Sequence, residues 1–522
     1  MAKYIIRRII HGLISVFIVV GIIMVLIYSL LDRNLIFAKD DVYRNLMNNT
    51  KVVYRYTQWE QFGYVDLVSY QDWLADLVAK GELTEEEQSK VTGIARTKDK
   101  DSDEVKVYVD KFKKYYKSKG YKVVRLKAIM STPNKEAKGG HQQYFAYKNK
   151  SLASRLAHYF THLITVDTIH SVKADVPNRG ITFTLHDPVY NGKFAPAIIG
   201  NGTYHKYLLY FDNQFPYLHQ NLFQINLGTS YSVNKGIDVF TTMNVSQGSY
   251  VTREVVYPTG HVENSADDLH TAVFVANSLE DNKVTQDRFT DEYTGTDTYK
   301  SGFSKVGYSF VIGIIAVFFA YLIGIPLAIS MARHKGKAVD KIGTAYIVFI
   351  LAVPSLAYIY MFKAIGALMG LPTTFDMDST SKLMYVLPIV SLSLPSIGSL
   401  MQWLRRYMID QMNADYVKFA RSGGLSEREI FSKHIFKNAS IPIVQGVPGS
   451  ILGALTGAII TESVYVVPGA GNLLTRAISM YDNGVIVGVS FFYAILTVTS
   501  RILGDVLMSI VDPRISFTSK AR

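Results

Sequence analysis

Apolar residues in this chain come in long unbroken runs near its two ends, with polar-broken pieces between them. Ile9–Leu31 is the first run; Val306–Ala332, Ile342–Ala364, Leu383–Leu404, Ile441–Val464 and Val485–Ile510 follow a long polar stretch. A bilayer core about 30 Å thick takes about 20 residues of helix, and lipid offers a spanning backbone no partner outside its own segment. The pattern predicts an α-helical polytopic membrane protein with six transmembrane helices. The first run is longer than a signal-peptide core, and no Ala-x-Ala-like site follows it, so it reads as a retained anchor. Three parts result: residues 1–32 form an N-terminal tail and first helix, 33–305 a separate domain, and 306–522 a five-helix core.

The middle part has the texture of a soluble protein. Glu85–Lys90 and Val107–Lys119 read as helices, while Ile181–Leu185 and Tyr204–Phe211 alternate or run apolar like strands. The segment predicts a mixed α/β domain. Its lysine-rich run Asp110–Lys119 reads as a solvated helix face.

Charge orients the membrane part. The net charge is +12, and the excess sits beside the apolar runs. Lys3, Arg7 and Arg8 precede the first run. Arg333, Lys335, Lys337 and Lys341 follow the second. A third group runs from Arg405 and Arg406 to Lys437, and Arg514, Lys520 and Arg522 end the chain. Placing both termini in the cytoplasm puts every cluster inside and residues 33–305 outside. A basic character explained this way argues against nucleic acid as a partner. With no cysteine, disulfides, thiolate metal sites and cysteine nucleophiles are excluded, and no cofactor is predicted. Lys363 falls inside an apolar run near its outer end, where its stem snorkels. Gly449, Gly453 and Gly457 make two consecutive GxxxG steps, a packing seam for another helix or a partner subunit. Pro354, Pro388 and Pro395 are expected to bend their helices.

The loop between the fourth and fifth runs, about 405–440, carries the densest local signals. Asp415–Arg421 reads as a short helix, and Gly423-Gly424 allows a turn. Ser426 followed by Glu429 makes a capping box for the next helix. Ile430, Phe431, His434 and Ile435 form its apolar stripe. The picture is helix, tight turn, helix.

These residues also carry a resemblance. The run Asp415-Tyr416-Val417-Lys418-Phe419-Ala420-Arg421-Ser422-Gly423-Gly424-Leu425-Ser426, with His434, Asn438, Ala439 and Pro442, resembles the EAA loop of ABC importer permeases in its dipeptide and oligopeptide version. Further matches follow the family order: Tyr4 to Arg8, Asn226-Leu227-Gly228-Thr229-Ser230-Tyr231, Leu387-Pro388 through Arg405-Arg406, Thr461-Glu462-Ser463-Val464, Pro468-Gly469-Ala470-Gly471, Asp482 and Asp512-Pro513-Arg514. The whole is similar to the Opp/Ami-type oligopeptide permeases of Gram-positive bacteria. The resemblance implies a type I importer fold without ATP chemistry of its own, and a plasma-membrane location. It implies as partners a second homologous permease, two cytoplasmic ABC ATPases and an extracellular lipid-anchored peptide-binding protein, with a peptide as substrate. It makes Asp415, Tyr416, Lys418, Ala420, Arg421, Gly424, Leu425, Ser426 and His434 an ATPase coupling loop. It assigns Glu462, Pro468, Gly469 and Gly471 to the extracellular gate. Two departures stand out. Lys418 occupies a position where many importers have Glu, and the PGDP after the first helix is replaced by Leu31-Asp32-Arg33.

Other classes fit less well. The chain has no GxxxxGK[ST] loop to cradle ATP. It shows neither the inverted repeats nor the mid-membrane charges of a secondary transporter. A membrane-anchored sensor needs fewer spans and a signalling domain. Within the ABC reading, dipeptides, nickel or a signalling peptide stay open as alternative substrates.

Overall fold

The computed structural model of the chain describes residues 2–95, 101–126, 144–211, 218–280, 282–377, 379 and 381–511. The C-terminal Asp512-Pro513-Arg514 motif and the last basic cluster lie outside them. Helix α1 (Ala2–Leu30) opens the chain. In the polar segment, helix α2 (Leu152–Thr161) leads into strand β1 (Ile164–Val166), and β2 (Gly180–Asp187), β3 (Lys193–Asn201), β4 (Tyr207–Phe211), β5 (Leu218–Gln220) and β6 (Phe223–Ile225) follow. A one-and-a-half-turn helix α3 (Val239–Asn244) comes next. The membrane part holds α4 (Lys305–Arg333), α5 (Ala338–Ala352), α6 (Ser355–Leu368), α7 (Val386–Met412), α8 (Asp415–Ser422), α9 (Lys437–Tyr465), α10 (Ala470–Ser479) and α11 (Asn483–Val511).

Among the described residues five helical segments are long and apolar enough to cross a membrane, and α5 with α6 make a sixth if the bent pair is one span. The third apolar run is therefore not one helix, as the sequence pattern suggests. It breaks by 108° between Ala352 and Ser355. Pro354 explains the break, since a proline ring pushes the residue before it out of the helical region. Val353 sits at φ −77°, ψ 131°, in extended geometry. Pro388 lies in the first turn of α7, where a proline is tolerated, and α7 runs on through Pro395.

The polar segment is mixed α/β. One lobe is a three-stranded antiparallel sheet in the order Val65–Ser69, Tyr144–Asn149, Lys122–Arg125. Helices Tyr70–Ala79, Glu85–Thr92 and Asp103–Ser118 pack on it around Trp73, Leu74 and Phe112. The lysines of the Asp103–Ser118 helix face water while Val105, Val109 and Phe112 are buried, a solvated face as the pattern predicts. A second lobe holds the four-stranded sheet β2-β3-β4-β5 and the two-stranded ribbon β1–β6.

Two apolar clusters hold the membrane helices together. Tyr308 and Ile312 of α4, Leu392 of α7 and Ala454 and Ala458 of α9 form one. Met331 of α4, Leu404 and Met408 of α7, Val417 of α8 and Ile435 form the other. A third cluster joins the two parts of the chain: Val16, Val20 and Met24 of α1 pack with Leu163, Leu227 and Val239 of the polar segment and with Val485 and Val489 of α11.

Candidate functional site

Two places concentrate the motif residues, one at each end of α9. The first is the loop after α7. Val417 is buried against the α4–α7 cluster, which anchors α8. The Tyr416 hydroxyl donates to Gln411 Oε1 at 2.7 Å, and Ala420 is half-buried. The rest of α8 faces outward. Lys418 pairs with Asp415 at 2.9 Å, one turn back, on a side chain 71% exposed. Arg421 clamps Glu427 through Nε at 2.5 Å and Nη2 at 3.1 Å, bridging the turn. Gly424 sits at φ +82°, in the left-handed region that side chains disfavour. There the Gly423 N–H donates to Phe419 O at 2.9 Å, closing the helix end. Ser426 and Glu429 form the predicted capping box: Glu429 N donates to Ser426 Oγ and Ser426 N to Glu429 Oε2, both at 3.3 Å.

The segment after the box departs from the simple helix expected. Ile430–Phe436 is a π-helix that runs directly into α9. Such wide turns are rare and favour functional positions. Ile430, Phe431 and Ile435 are buried, and His434 sits half-buried at the edge, its ring 6.4 Å from that of Tyr416. The tip of the loop is apolar and open. Phe419 is 76% exposed and Leu425 39% exposed. The exposure of Phe419 has no counterpart in the sequence signals, which treat it as one more motif residue.

The second place is the far end of α9. Glu462 is fully buried, and among the described residues no cation pairs with it. Its carboxylate accepts from Ser309 Oγ at 2.5 Å and from the Asn472 N–H at 3.0 Å. Ala470 N in turn donates to Ser309 Oγ at 2.9 Å. The carboxylate thus faces the first turn of α10, where free N–H groups and the helix dipole favour an anion. Gly469 and Gly471 make this approach possible. A Cβ on Gly469 would overlap the Glu462 carboxylate, and one on Gly471 would lie 2.7 Å from Ile459 Cα. Pro468 follows Val466, which caps α9 at φ +58°. That conformation strains a β-branched residue. The polar contacts around Val467 hold it: Val467 N donates to Glu462 O at 2.8 Å and Asn472 Nδ2 to Val467 O at 2.9 Å.

Beyond α10, Asp482 makes a second buried joint. It accepts from Ser230 Oγ (2.9 Å), Tyr231 N (2.9 Å), Ser232 N (2.8 Å), Ser232 Oγ (3.0 Å) and Val485 N (3.2 Å). Two motifs far apart in the sequence, Asn226–Tyr231 and the segment ending at Asp482, therefore meet. Nothing in the sequence pairs them. Sequence reasoning also missed Asp340, which receives Arg405 in a two-point ion pair (2.5 and 2.8 Å) and the Gly336 N–H at 2.8 Å. Lys363 Nζ donates to Val464 O at 2.7 Å, at the C-terminal end of α9, where a cation suits the helix dipole.

The small-residue seam finds no partner inside the described part of the chain. Gly446, Gly449 and Gly453 have open space where a Cβ would be. Gly457 lies in the same helix, outside the residues whose surroundings are described. Gly446 and Gly453 border a groove of about 500 Å³ between α4, α7 and α9, with Tyr321, Ser396, Trp403 and Ser450 on its walls. Among the described residues no cluster of three His, Asp or Glu side chains is placed to hold a metal ion.

Comparison with known proteins matches this architecture to a family. Residues 324–517 fit the family described as "Binding-protein-dependent transport system inner membrane component". The oligopeptide transport system permease protein AmiC of Streptococcus pneumoniae serotype 4 is 33% identical over 527 residues, covering 100% of this chain and 99% of that protein. The dipeptide transport system permease protein DppB of Lactococcus lactis subsp. cremoris is 28% identical over 213 residues, 40% of this chain and 68% of its own length. The full-length match includes the polar segment between α1 and α4 as well as the helices. The chain belongs to the family of binding-protein-dependent transport system inner membrane components, the permease subunits of ABC importers.

Proposed function

We propose that this chain is one of two homologous permease subunits of an ATP-driven oligopeptide importer. It crosses the plasma membrane six times, keeps both termini in the cytoplasm and holds residues 33–305 outside. Its partners are a second permease, two cytoplasmic ATPases and a lipid-anchored peptide-binding protein that delivers the substrate. The observation that carries the coupling role is the loop tip, where the short helix α8 is fixed by Val417 and presents Phe419 outward. A rigid base and an unsatisfied aromatic tip suit a groove on an ATPase.

The contacts of α5 and α6 support six crossings. Asp340 at the start of α5 meets Arg405 near the end of α7. Lys363 of α6 reaches Val464 at the opposite end of α9, and Phe375 N donates to Tyr465 O at 2.8 Å. The bent pair thus starts at one end of the helix bundle and finishes at the other. This agrees with basic clusters after both α4 and α7 lying inside.

Reconstitution into vesicles with the two ATPases and the second permease tests the reading. Peptide uptake is expected only with ATP and all subunits, and the purified chain alone should not hydrolyse ATP. Robust ATPase activity from this subunit by itself overturns it. Protease added to intact spheroplasts should cut within 33–305 and spare 405–440; the reverse pattern refutes the topology.

A further inference from the structure

The polar segment touches α1 well away from that helix's C-terminal end. Phe160, near the end of α2, packs edge-on against Phe17 with ring centroids 4.9 Å apart. At 1.5 Å per residue, Phe17 lies roughly 20 Å along α1 from Leu30. Helix α2 therefore runs beside the membrane helix rather than above it. Leu156, Tyr159 and Phe160 join the apolar cluster of Val16, Val20 and Met24.

From α2 the chain passes through buried Leu163 into the β1–β6 ribbon. The antiparallel register sets Ile164 opposite Ile225 and Val166 opposite Phe223. Opposed residues share a face, and these four are 58, 39, 53 and 56% exposed (Ile164, Ile225, Val166, Phe223). The ribbon is firmly held, with Asn226 N donating to Leu163 O at 2.9 Å and Asp167 accepting from Tyr204 N and His205 N at 2.8 Å. Four apolar side chains on one rigid face are unfavourable in water. They directly follow the point where α2 meets α1, whose Leu13, Ile14, Phe17 and Ile18 are themselves exposed as a lipid-facing stripe.

Arg155, near the start of α2, sits nearer the end of α1. The Arg155 guanidinium lies 3.6 Å from the ring centre of Tyr28 and 3.9 Å from that of Tyr64. Lys150, His158 and His162 line the same cleft of about 460 Å³. Burial, then the charges of His162 and Lys150, lower the His158 pKa. The carboxylates in the neighbourhood are committed: Asp66 pairs with Lys150 at 3.1 Å, and Asp238 caps α3. Among the described residues no carboxylate pairs with Arg155.

We propose that α2 and the β1–β6 ribbon are seated in the outer leaflet, the ribbon face among acyl chains and the Lys150 and Arg155 side chains on phospholipid headgroups. Apolar side chains deep and cations shallow is the profile of an interfacial segment. Open strand edges exclude a spanning ribbon, so the strands lie at the interface with only their side chains in the hydrocarbon. The inference rests on the topology proposed above, which puts the polar segment outside.

The absence of cysteine makes single labels unambiguous. Nitroxides at Val166→Cys and Phe223→Cys, in the complete importer in phosphatidylcholine–phosphatidylglycerol vesicles, are expected to collide more with oxygen than with a water-soluble nickel complex. A nitroxide at Asp110→Cys, on the solvated helix, should show the reverse. Nickel-dominated relaxation at 166 and 223 overturns the proposal. Shielding from both reagents also overturns it, because a protein then covers the ribbon. Membrane-impermeant thiol labelling of Asp110→Cys in intact cells tests the topology separately; failure there sinks the topology, whatever the collision data show. For the cationic half, native mass spectrometry of the Lys150→Gln/Arg155→Gln importer should show loss of retained phosphatidylglycerol, and retention equal to the parent overturns the headgroup contact.

Discussion

The two ends of α9 solve opposite problems. At the Glu462–Asp482 end, charged groups are buried and nearly every donor around them is used within the chain. At the α8 end, the charged groups are exposed and pair only with neighbours on the same loop, while an aromatic residue stands in solvent. A polar network satisfied internally is a structural joint, and its loss is felt as stability. An apolar tip with nothing on it is an interface, and its loss is felt only when a partner is present. The resemblance assigns one end to ATPase coupling and the other to an extracellular gate; the geometry sorts them instead by whether their polar groups are satisfied within the chain.

The largest effect is expected at Asp482. Asp482→Ala leaves the amides of Tyr231 and Ser232 without their acceptor where the polar segment meets the membrane helices, a cost on the order of 3 kcal/mol. Thermal unfolding in detergent should show a clear drop in melting temperature, together with faster proteolysis of residues 33–305. Glu462→Ala removes fewer acceptor contacts and should cost about 2 kcal/mol by the same measurement. An unchanged melting temperature for both variants breaks the distinction between joint and interface. At the α8 end, Phe419→Ala should leave the melting temperature of the isolated subunit alone. It should weaken ATPase co-purification by about 2 kcal/mol, roughly 30-fold in affinity, if Phe419 is a buried interface anchor. A stability loss without an association loss would move Phe419 to the structural class.

Gly424→Val is expected to be milder energetically. A branched side chain at φ +82° costs about 1–2 kcal/mol, and no neighbour lies within 4 Å of the added Cβ. The protein should insert normally while the turn shifts α8 and peptide uptake falls. Normal uptake would show that the turn geometry does not set coupling.

Sequence reading reached what depends on local pattern. Apolar runs marked the five long apolar helices, though α1 starts seven residues before its run and α7 ends eight residues after its run, and Ser426 with Glu429 gave the cap, because both signals are short-range. The break before Pro354 was half-visible: proline marked a bend, but nothing local gave its size. Contacts between distant segments stayed hidden. Asp482 with Tyr231, Asp340 with Arg405 and Lys363 with Val464 each join residues that no period or motif links. The π-helix at Ile430–Phe436 was hidden for another reason: its apolar spacing also fits an ordinary helix. The open face of Phe419 was hidden because a motif says which residues recur, not which are left uncovered.

The smallest expected effect is at Lys418, and it needs the most careful design. Lys418 departs from the Glu that the family resemblance implies, and among the described residues it pairs with Asp415 on the preceding turn. An exposed pair of this kind contributes less than about 1 kcal/mol. Lys418→Ala should therefore change little within α8. Lys418→Glu does two things at once. It places two carboxylates a turn apart on α8, and it reverses the charge offered to any ATPase groove. Replacing Asp415 as well separates them. In an Asp415→Asn background the intrahelical repulsion is gone, so a deficit that persists for Lys418→Glu in uptake and ATPase co-purification reports the partner surface. A deficit that disappears in that background assigns the effect to α8 alone. Near-normal uptake and co-purification for both Lys418→Glu and Lys418→Ala would remove this lysine from the coupling contact and leave Phe419 as the residue on which the interface turns.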